Sequence, residues 1–156
     1  MRIVSWNVNG VRALDARMTQ GGFADWLVAS DADVVCVQEH KVTVSKNLDD
    51  GLLAIPGWSS FWAFSQVKSG QCGVATFART GTTLSAEPGF GFPSSFADAG
   101  RVMVTDHGAF VLINVYVPSS GNVYKESTGK DRVAAKMAFY TDLERKASAG
   151  FVCLFD

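Results

Sequence analysis

Apolar and polar side chains alternate along residues 2–8, RIVSWNV, with Ile3, Ser5 and Asn7 on one face and Val4, Trp6 and Val8 on the other. Period-two alternation predicts a strand, and apolar side chains on both faces predict an inner one. From Gly22 to Ser30 the spacing changes: Phe23, Trp26 and Leu27 fall at i, i+3 and i+4, the stripe of a short helix packed on a sheet. The run ADVVCVQ, 32–38, is β-rich and ends in polar residues. Strand, helix, strand in that order predicts an α/β layer. Further strand-like runs occupy 59–65, 72–78, 101–105 and 109–117, separated by Gly, Ser and Asp rather than by helices. TDHGA joins two of them and predicts a hairpin turn. The Pro and Gly content of 86–100, AEPGFGFPSSFADAG, predicts a loop. A longer helix follows over about 129–148. Thr128 stands in capping-box spacing to Asp131, and Val133, Met137, Tyr140 and Leu143 are expected to form its packed face. GFVCLFD closes the chain as a strand that delivers an acid, Asp156, at its end. No repeat or linker interrupts the pattern, so a single domain is expected.

The 156 residues are 47% hydrophobic and 19% charged, the profile of a chain that builds a core and not of a disordered one. No apolar stretch approaches the roughly 20 residues that span a bilayer. Asn7 and Asn9 interrupt what would otherwise be a signal-peptide core, so a soluble intracellular protein is expected. The net charge is −1, and an electrostatic footprint for nucleic acid must therefore be local. Cys36, Cys72 and Cys153 are odd in number, widely spaced and set in apolar runs. They read as reduced, buried thiols, not as a disulfide framework or a zinc site.

Polar residues interrupt apolar strands at three strand ends: Asn7 and Asn9 in SWNVNG, Gln38 and Glu39 in VQEHK, and Asn114 and Tyr116 in LINVYVP. A polar group within an apolar strand costs a few kcal/mol unless it is satisfied, and α/β sheets gather ligands at the carboxyl ends of their strands. A shared site is the economical reading, against three separate buried amides each bonding a neighbouring loop. A lone carboxylate, Glu39, among amides suits a hard cation. Magnesium commonly takes only one or two protein carboxylates and keeps water and phosphate as its other ligands. Lys41, two residues on in an extended chain, points the same way as Glu39 and serves as its ion-pair partner or as a phosphate contact. His40 points to the opposite face and reads as a packing or surface residue. Other chemistries fail on spacing. GNVYKESTGKD is not a P-loop, PGFGFPS lacks the third glycine of a dinucleotide fingerprint, and no helix follows Cys72 to make SGQCG a nucleophile elbow.

IVSWNVNGVRA, DVVCVQEHK, SGQCGVATFAR, AGRVMV, LINVYVPSSG and KMAFYTDL occur here in the order found in the exonuclease III / AP-endonuclease family of the endonuclease/exonuclease/phosphatase superfamily, which the chain resembles along its whole length. SGQCGVATFAR together with KMAFYTDL resembles in particular the second type of eukaryotic AP endonuclease. The resemblance implies a four-layer, deoxyribonuclease I-like α/β sandwich, with mixed, mostly antiparallel sheets flanked by helices. It implies a Mg2+-dependent hydrolase of DNA phosphodiesters, with Mn2+ as a substitute metal, acting in base-excision repair. DNA with abasic sites or 3′ ends would be its partner, in the nucleus of a eukaryote or the cytoplasm of a prokaryote. Position by position, Glu39 resembles the metal-binding glutamate, and Asn9 a metal-site position where the family carries Asn or Asp. Asn7 resembles the asparagine beside the metal and the attacking water, and Tyr116 the tyrosine on the scissile phosphate. Arg101 resembles an arginine near the DNA, and Ser119 joins it and Lys41 as a phosphate contact. Asp156 aligns with the aspartate of GDxN that orients or activates the water.

The chain departs from the family pattern at several places. Phe155 replaces the glycine of GDxN, Gln71 stands where SGYSG has an aromatic, and His40 stands where Thr is usual. The family's later Asp and its Asp-His pair have no counterpart. The chain is therefore expected to be the N-terminal half of the sandwich, with a bare apolar inner sheet face and little or no nuclease activity of its own. The alternatives are a non-catalytic DNA- or partner-binding remnant, to which Lys125, Lys130, Arg132 and Lys136 lend a local basic cluster, and a superfamily phosphatase.

Overall fold

The computed structural model describes residues 1–19, 21–43, 50–68, 70–119, 129–148 and 152–154. Its elements run β1 (Ile3–Asn7), α1 (Val11–Asp15), α2 (Gly22–Ala29), β2 (Val34–Gln38), α3 (Asp50–Leu53), β3 (Trp58–Ala63), β4 (Val74–Arg79), β5 (Ser85–Pro88), α4 (Ser94–Ala97), β6 (Val102–Asp106), β7 (Val111–Val115), α5 (Gly129–Ala147) and β8 (Val152–Leu154). They form two four-stranded sheets, ordered β1-β2-β4-β3 and β5-β6-β7-β8. The β1–β2 and β7–β8 pairs are parallel and the remaining pairs antiparallel, the mixed, mostly antiparallel pattern expected. No helix among the described residues is long and apolar enough to cross a membrane.

Strand alternation assigns the layers. Val35 and Val37 of β2 and Ala75 and Phe77 of β4 face outward and pack with Val11, Phe23 and Leu27 from α1 and α2. Val102, Val104, Ile113 and Val115 face outward from the second sheet onto Phe92, Phe96, Phe139 and Leu143. The inward positions of both sheets meet between them: Val34, Cys36 and Ala78 pack with Leu112, and Ala63 and Val74 pack with Met103. The layers are therefore helix, sheet, sheet, helix, and the inner faces cover each other. This corrects the bare inner face expected of a half-sandwich. The chain supplies four strands to each of two sheets, not one sheet without its mate.

Two buried amides tie those inner faces together. Gln38 Nε2 donates to Asn114 Oδ1 at 2.9 Å, and Asn114 Nδ2 donates to Ala75 O at 2.9 Å and Thr76 Oγ1 at 3.2 Å. Both side chains are fully buried. The polar signal that suggested a shared site at these positions thus divides. Gln38 and Asn114 join the sheets, while their near neighbours Glu39 and Tyr116 build the site.

Several sequence expectations need correction. β1 is a terminal strand of its sheet among the described residues, not an inner one. It is apolar on both sides because Val4 and Trp6 meet the helices and Ile3 meets the second sheet, and a sandwiched edge strand carries the same pattern as an inner strand. The 86–100 loop contains most of β5 and all of α4; Pro88 is tolerated because it ends an edge strand. On α5 the packed face is centred on Phe139, which lies between Phe92 and Phe96 at centroid distances of 5.5 and 5.1 Å. Leu143 is buried as expected, but Val133, Met137 and Tyr140 are exposed. The helix carries two apolar stripes, and the one with the larger buried aromatic faces the core. The hairpin turn at TDHGA stands, closed by His107 N–H donating to Phe110 O at 3.0 Å. Cys36 is buried in the core and its thiol is pushed up to about 12 by that burial, but Cys72 is only half-buried. The side chain of Cys153 lies outside the described residues. So do Thr128, Lys125, Phe155, Asp156 and the side chains of Lys130 and Asp131, and with them the Thr128 cap and half of the four-residue basic cluster.

Asn114→Leu should destabilise the protein by about 2–4 kcal/mol, because it strips partners from Gln38, Ala75 and Thr76 in a dry interface. The double change Gln38→Met with Asn114→Leu should recover part of that loss, since no orphaned amide remains. Urea unfolding of the three variants measures this, and additive losses in the double variant would contradict the tie.

Candidate active site

The carboxyl ends of β1, β2 and β7 lie at one end of the sandwich, and the side chains beyond them converge. Glu39 follows the last residue of β2 and turns back through a left-handed conformation, φ 53°, as does Lys41 at φ 55°. The two side chains meet, as expected, but by paired left-handed turns and not along an extended strand. Lys41 Nζ lies 3.0 Å from Glu39 Oε2 and also bonds Asn9 Oδ1. Asn7 Nδ2 donates to Glu39 Oε1 at 3.1 Å, and Asn7 Oδ1 accepts from Asn9 N–H at 3.0 Å. The Tyr116 hydroxyl, from the second sheet, hydrogen-bonds the same carboxylate. Arg101 stacks its guanidinium over the Tyr116 ring at 4.8 Å and donates to Tyr116 O at 3.0 Å.

The backbone around this cluster is built for close approach. A Cβ on Gly100, at φ 66°, would fall 2.5–2.7 Å from backbone atoms of Phe64, Ala63 and Ser65. Only glycine lets that segment lie against the end of β3 and bring Arg101 onto Tyr116. Burial opposes the charge on Glu39, but hydrogen bonds from Asn7, Lys41 and Tyr116, with the Lys41 charge, outweigh it and hold the carboxyl below the usual range. Burial first, then the bond to Glu39 and its charge, push the Tyr116 hydroxyl up to about 12. At neutral pH the site therefore presents a carboxylate, a protonated phenol and two cations.

The donor set fits a hard cation. Glu39 Oε2 and Asn9 Oδ1 both turn toward one positive charge, the Lys41 ammonium, and oxygen donors arranged around a cation are what magnesium requires. Among the described residues no group of three or more His, Cys, Asp or Glu side chains could hold a metal, and the donors they offer here are the Glu39 carboxylate and amide oxygens. Of the expected site residues, Asn7, Asn9, Glu39, Lys41, Tyr116 and Arg101 come together. Ser119 is exposed beyond β7, and Asp156 lies outside the described residues.

Sequence reasoning gave Cys72 and His40 no place at the site. Cys72, at φ 55°, lies close enough to Arg101, Glu39 and Lys41 to feel their charges, and burial raises its pKa. Its signal was the flanking Gly73, which marks a loop that must come close to something. That something is His40, buried at 1% exposure and so a packing residue, not a surface one.

The profile of the Endonuclease/Exonuclease/phosphatase family matches residues 4–152. The chain belongs to the endonuclease/exonuclease/phosphatase family. Within this family it is 33% identical over 181 residues to the DNA-(apurinic or apyrimidinic site) endonuclease 2 of Xenopus laevis, covering 96% of this chain and 33% of that protein. It is 31% identical over 192 residues to the human enzyme of the same name, covering 96% of this chain and 35% of that one. The crystal structure of the Xenopus laevis APE2 catalytic domain superposes with a TM-score of 0.82 at 32% identity, over 100% of this chain and 58% of that one. The resemblance read from the motifs and the deoxyribonuclease I-like fold it implied are thus borne out. The chain spans about a third of the length of these curated relatives.

Burial lowers the His40 pKa from 6.5 to about 4, so acid favours the unfolded chain, which takes up the proton first. The stability held by the neutral ring is complete above about pH 6.5 and is lost as pH falls toward 4, by up to about 3 kcal/mol. Glu39, with its depressed carboxyl, adds a further loss below its unfolded pKa. Urea midpoints taken from pH 7 to 4.5 should fall in wild type and stay flatter in His40→Asn. A flat wild-type profile contradicts this assignment.

Proposed function

We propose that the Glu39 cluster is the metal and phosphate site of a DNA-repair nuclease that hydrolyses DNA phosphodiesters at abasic sites and 3′ ends. The observation that supports this most is the convergence of Glu39, Asn7, Asn9, Lys41 and Tyr116 at the carboxyl ends of β1, β2 and β7, with Arg101 stacked alongside. Because the chain spans only part of its relatives, the activity and substrate of the whole protein belong to this proposal.

Glu39 and Asn9 would hold Mg2+, or Mn2+ in its place. When bound, the ion polarises the phosphate and stabilises the leaving oxygen. Asn7 keeps Glu39 oriented by donating to Oε1 and, with Asp156, orients the attacking water; the Asp156 carboxylate is the group suited to accept its proton. Tyr116 keeps its proton at neutral pH and has it to donate to a phosphate oxygen. Arg101, Lys41 and Ser119 neutralise and position the backbone phosphate, a contact that Lys41 gains when it leaves Glu39. Acting on DNA, the protein would work in the nucleus of a eukaryote or the cytoplasm of a prokaryote.

Little or no cleavage of an abasic-site duplex in Mg2+ is expected of this chain alone, and whatever Mg2+-dependent cleavage it retains tests the reading. Glu39→Ala should lower it about a hundredfold or more, since a metal supplies several kcal/mol of transition-state stabilisation. Cleavage that survives this change, or needs no divalent ion, overturns the assignment. Salt-sensitive duplex binding without any hydrolysis would favour the non-catalytic remnant instead.

Lys41→Met should tighten Mn2+ binding by about threefold, the scale of a half-exposed ion pair, because the ammonium and the metal compete for Glu39 and Asn9. Mn2+ titration followed by electron paramagnetic resonance measures this, and weaker binding in the variant would show that Lys41 supports the site and does not compete for it.

A further inference from the structure

His40 lies between the site residues Glu39 and Lys41, and every polar group it carries is engaged on a different segment. Its Nδ1 accepts from Val42 N–H at 2.9 Å, which leaves Nε2 protonated to donate to Ala63 O at 3.1 Å. Its backbone N–H donates to Gly73 O at 3.1 Å, and its carbonyl accepts from Val11 N–H at 3.1 Å. The ring edges onto Trp62 at 5.0 Å and Phe64 at 5.5 Å. A Cβ on Gly73 would fall 2.3–2.8 Å from three of its ring atoms. The imidazole therefore fills the space between the end of β3, the start of β4 and the turn after β2.

That turn and the loops beside it hold unusual backbone. Asn9, Glu39, Lys41 and Cys72 are non-glycine residues with φ between 49° and 55°, a conformation that persists only where the surroundings over-determine it. The bonds that hold these residues run through or beside His40: Gly10 N–H to Glu39 O at 2.7 Å, and Lys41 N–H to Cys72 O at 3.0 Å. A short hydroxyl side chain at position 40 reaches neither Val42 N–H and Ala63 O together nor the two aromatic rings. At this position the ring is the one group that bonds its own turn and the end of β3 at once.

We propose that His40 is a positioning residue, whose ring locks the 38–42 turn against β3 and the Cys72–Gly73 loop so that Glu39 and Lys41 point into the site. This rests on the metal-site reading above for its consequence, but not for its geometry. Two measurements on the 156-residue chain separate them. Amide hydrogen exchange reads the turn directly. His40→Ala should raise exchange at Gly10, Val11, Lys41 and Val42 at least tenfold while the β2–β4 ladder stays protected. Mn2+ titration, run well below each variant's melting temperature, should show binding weakened about tenfold, the range seen when groups behind metal ligands are removed. His40→Asn keeps an acceptor near the Nδ1 position and should restore Val42 protection and most of the Mn2+ affinity. If His40→Ala does not fold, His40→Asn and His40→Gln carry the same comparison, with Val42 protected in the first and Ala63 bonded only in the second. Unchanged exchange at these four amides in a folded variant overturns the proposal, leaving His40 as packing alone. Loosened amides in a chain whose wild type binds no Mn2+ would uphold the positioning role and sink the metal reading.

Discussion

The bond between Gln38 and Asn114 is the constraint on which the rest of this structure turns. Two amides buried between two sheets are costly unless they find partners. Here Gln38 Nε2 and both ends of the Asn114 amide find them only if β2 and β7 face each other at one height, while Gln38 Oε1 stays without one among the described residues. Apolar interdigitation alone tolerates sliding, because one valine packs about as well as the next. A pair of amides does not slide. Asn114 also reaches the β4 groups Ala75 O and Thr76 Oγ1, so three strands are held to one register across the interface. Glu39 is the residue after Gln38, and Tyr116 is two after Asn114, on the same face of its sheet. The height that satisfies the amides therefore also brings the Tyr116 hydroxyl to the Glu39 carboxylate.

Beyond the strand ends the order comes from strain balanced by packing. Left-handed residues such as Glu39 and Lys41 cost on the order of 1–3 kcal/mol each, and the chain adopts several at one end of the sandwich. Aromatic packing offsets that cost: Trp62 and Phe64 stack at 5.9 Å with rings 5° from parallel, and His40 sits on their edges. Left-handed turns place side chains two residues apart, Glu39 and Lys41, on one charge cluster, with Asn9 drawn in from the loop after β1.

Much of this was legible in the residues, and the failures have physical reasons. The strands of both sheets apart from β5 were readable because apolar alternation is a property of a strand and its two faces; β5, mostly exposed Ser-Ala-Glu-Pro, carries no such signal. The place of β1 was not, because burial on both faces says nothing about which strand lies beside it. On α5, two apolar stripes compete, and the choice between Met137 and Phe139 depends on the shape of the pocket that Phe92 and Phe96 leave open, which lies dozens of residues away in sequence. Glu39, Asn7, Lys41 and Tyr116 were identified as a group because polar residues at strand ends are conspicuous against apolar runs. The same logic over-counted Gln38 and Asn114, since a buried structural amide and a site amide look alike until their partners are known. His40 was read as a packing or surface residue; it is packing, and its role as a staple was hidden because its two ring partners, one on its own turn and one on β3, are brought together only by the fold.

On the proposed nuclease reading, the local charge balance accounts for how a protein of net charge −1 would attract an anionic polymer. Around the single carboxylate of Glu39 stand Lys41, which pairs with it, and Arg101, held on the face of Tyr116. One carboxylate against these two cations leaves the cluster at about +1, and its attraction for a phosphate fades beyond a Debye length of about 8 Å at physiological salt. A divalent ion on Glu39 and Asn9 would displace the ammonium from the carboxylate and leave the same few ångströms strongly positive. Most of the attraction for the phosphate and the capacity to polarise it would then arise together, in the loaded site.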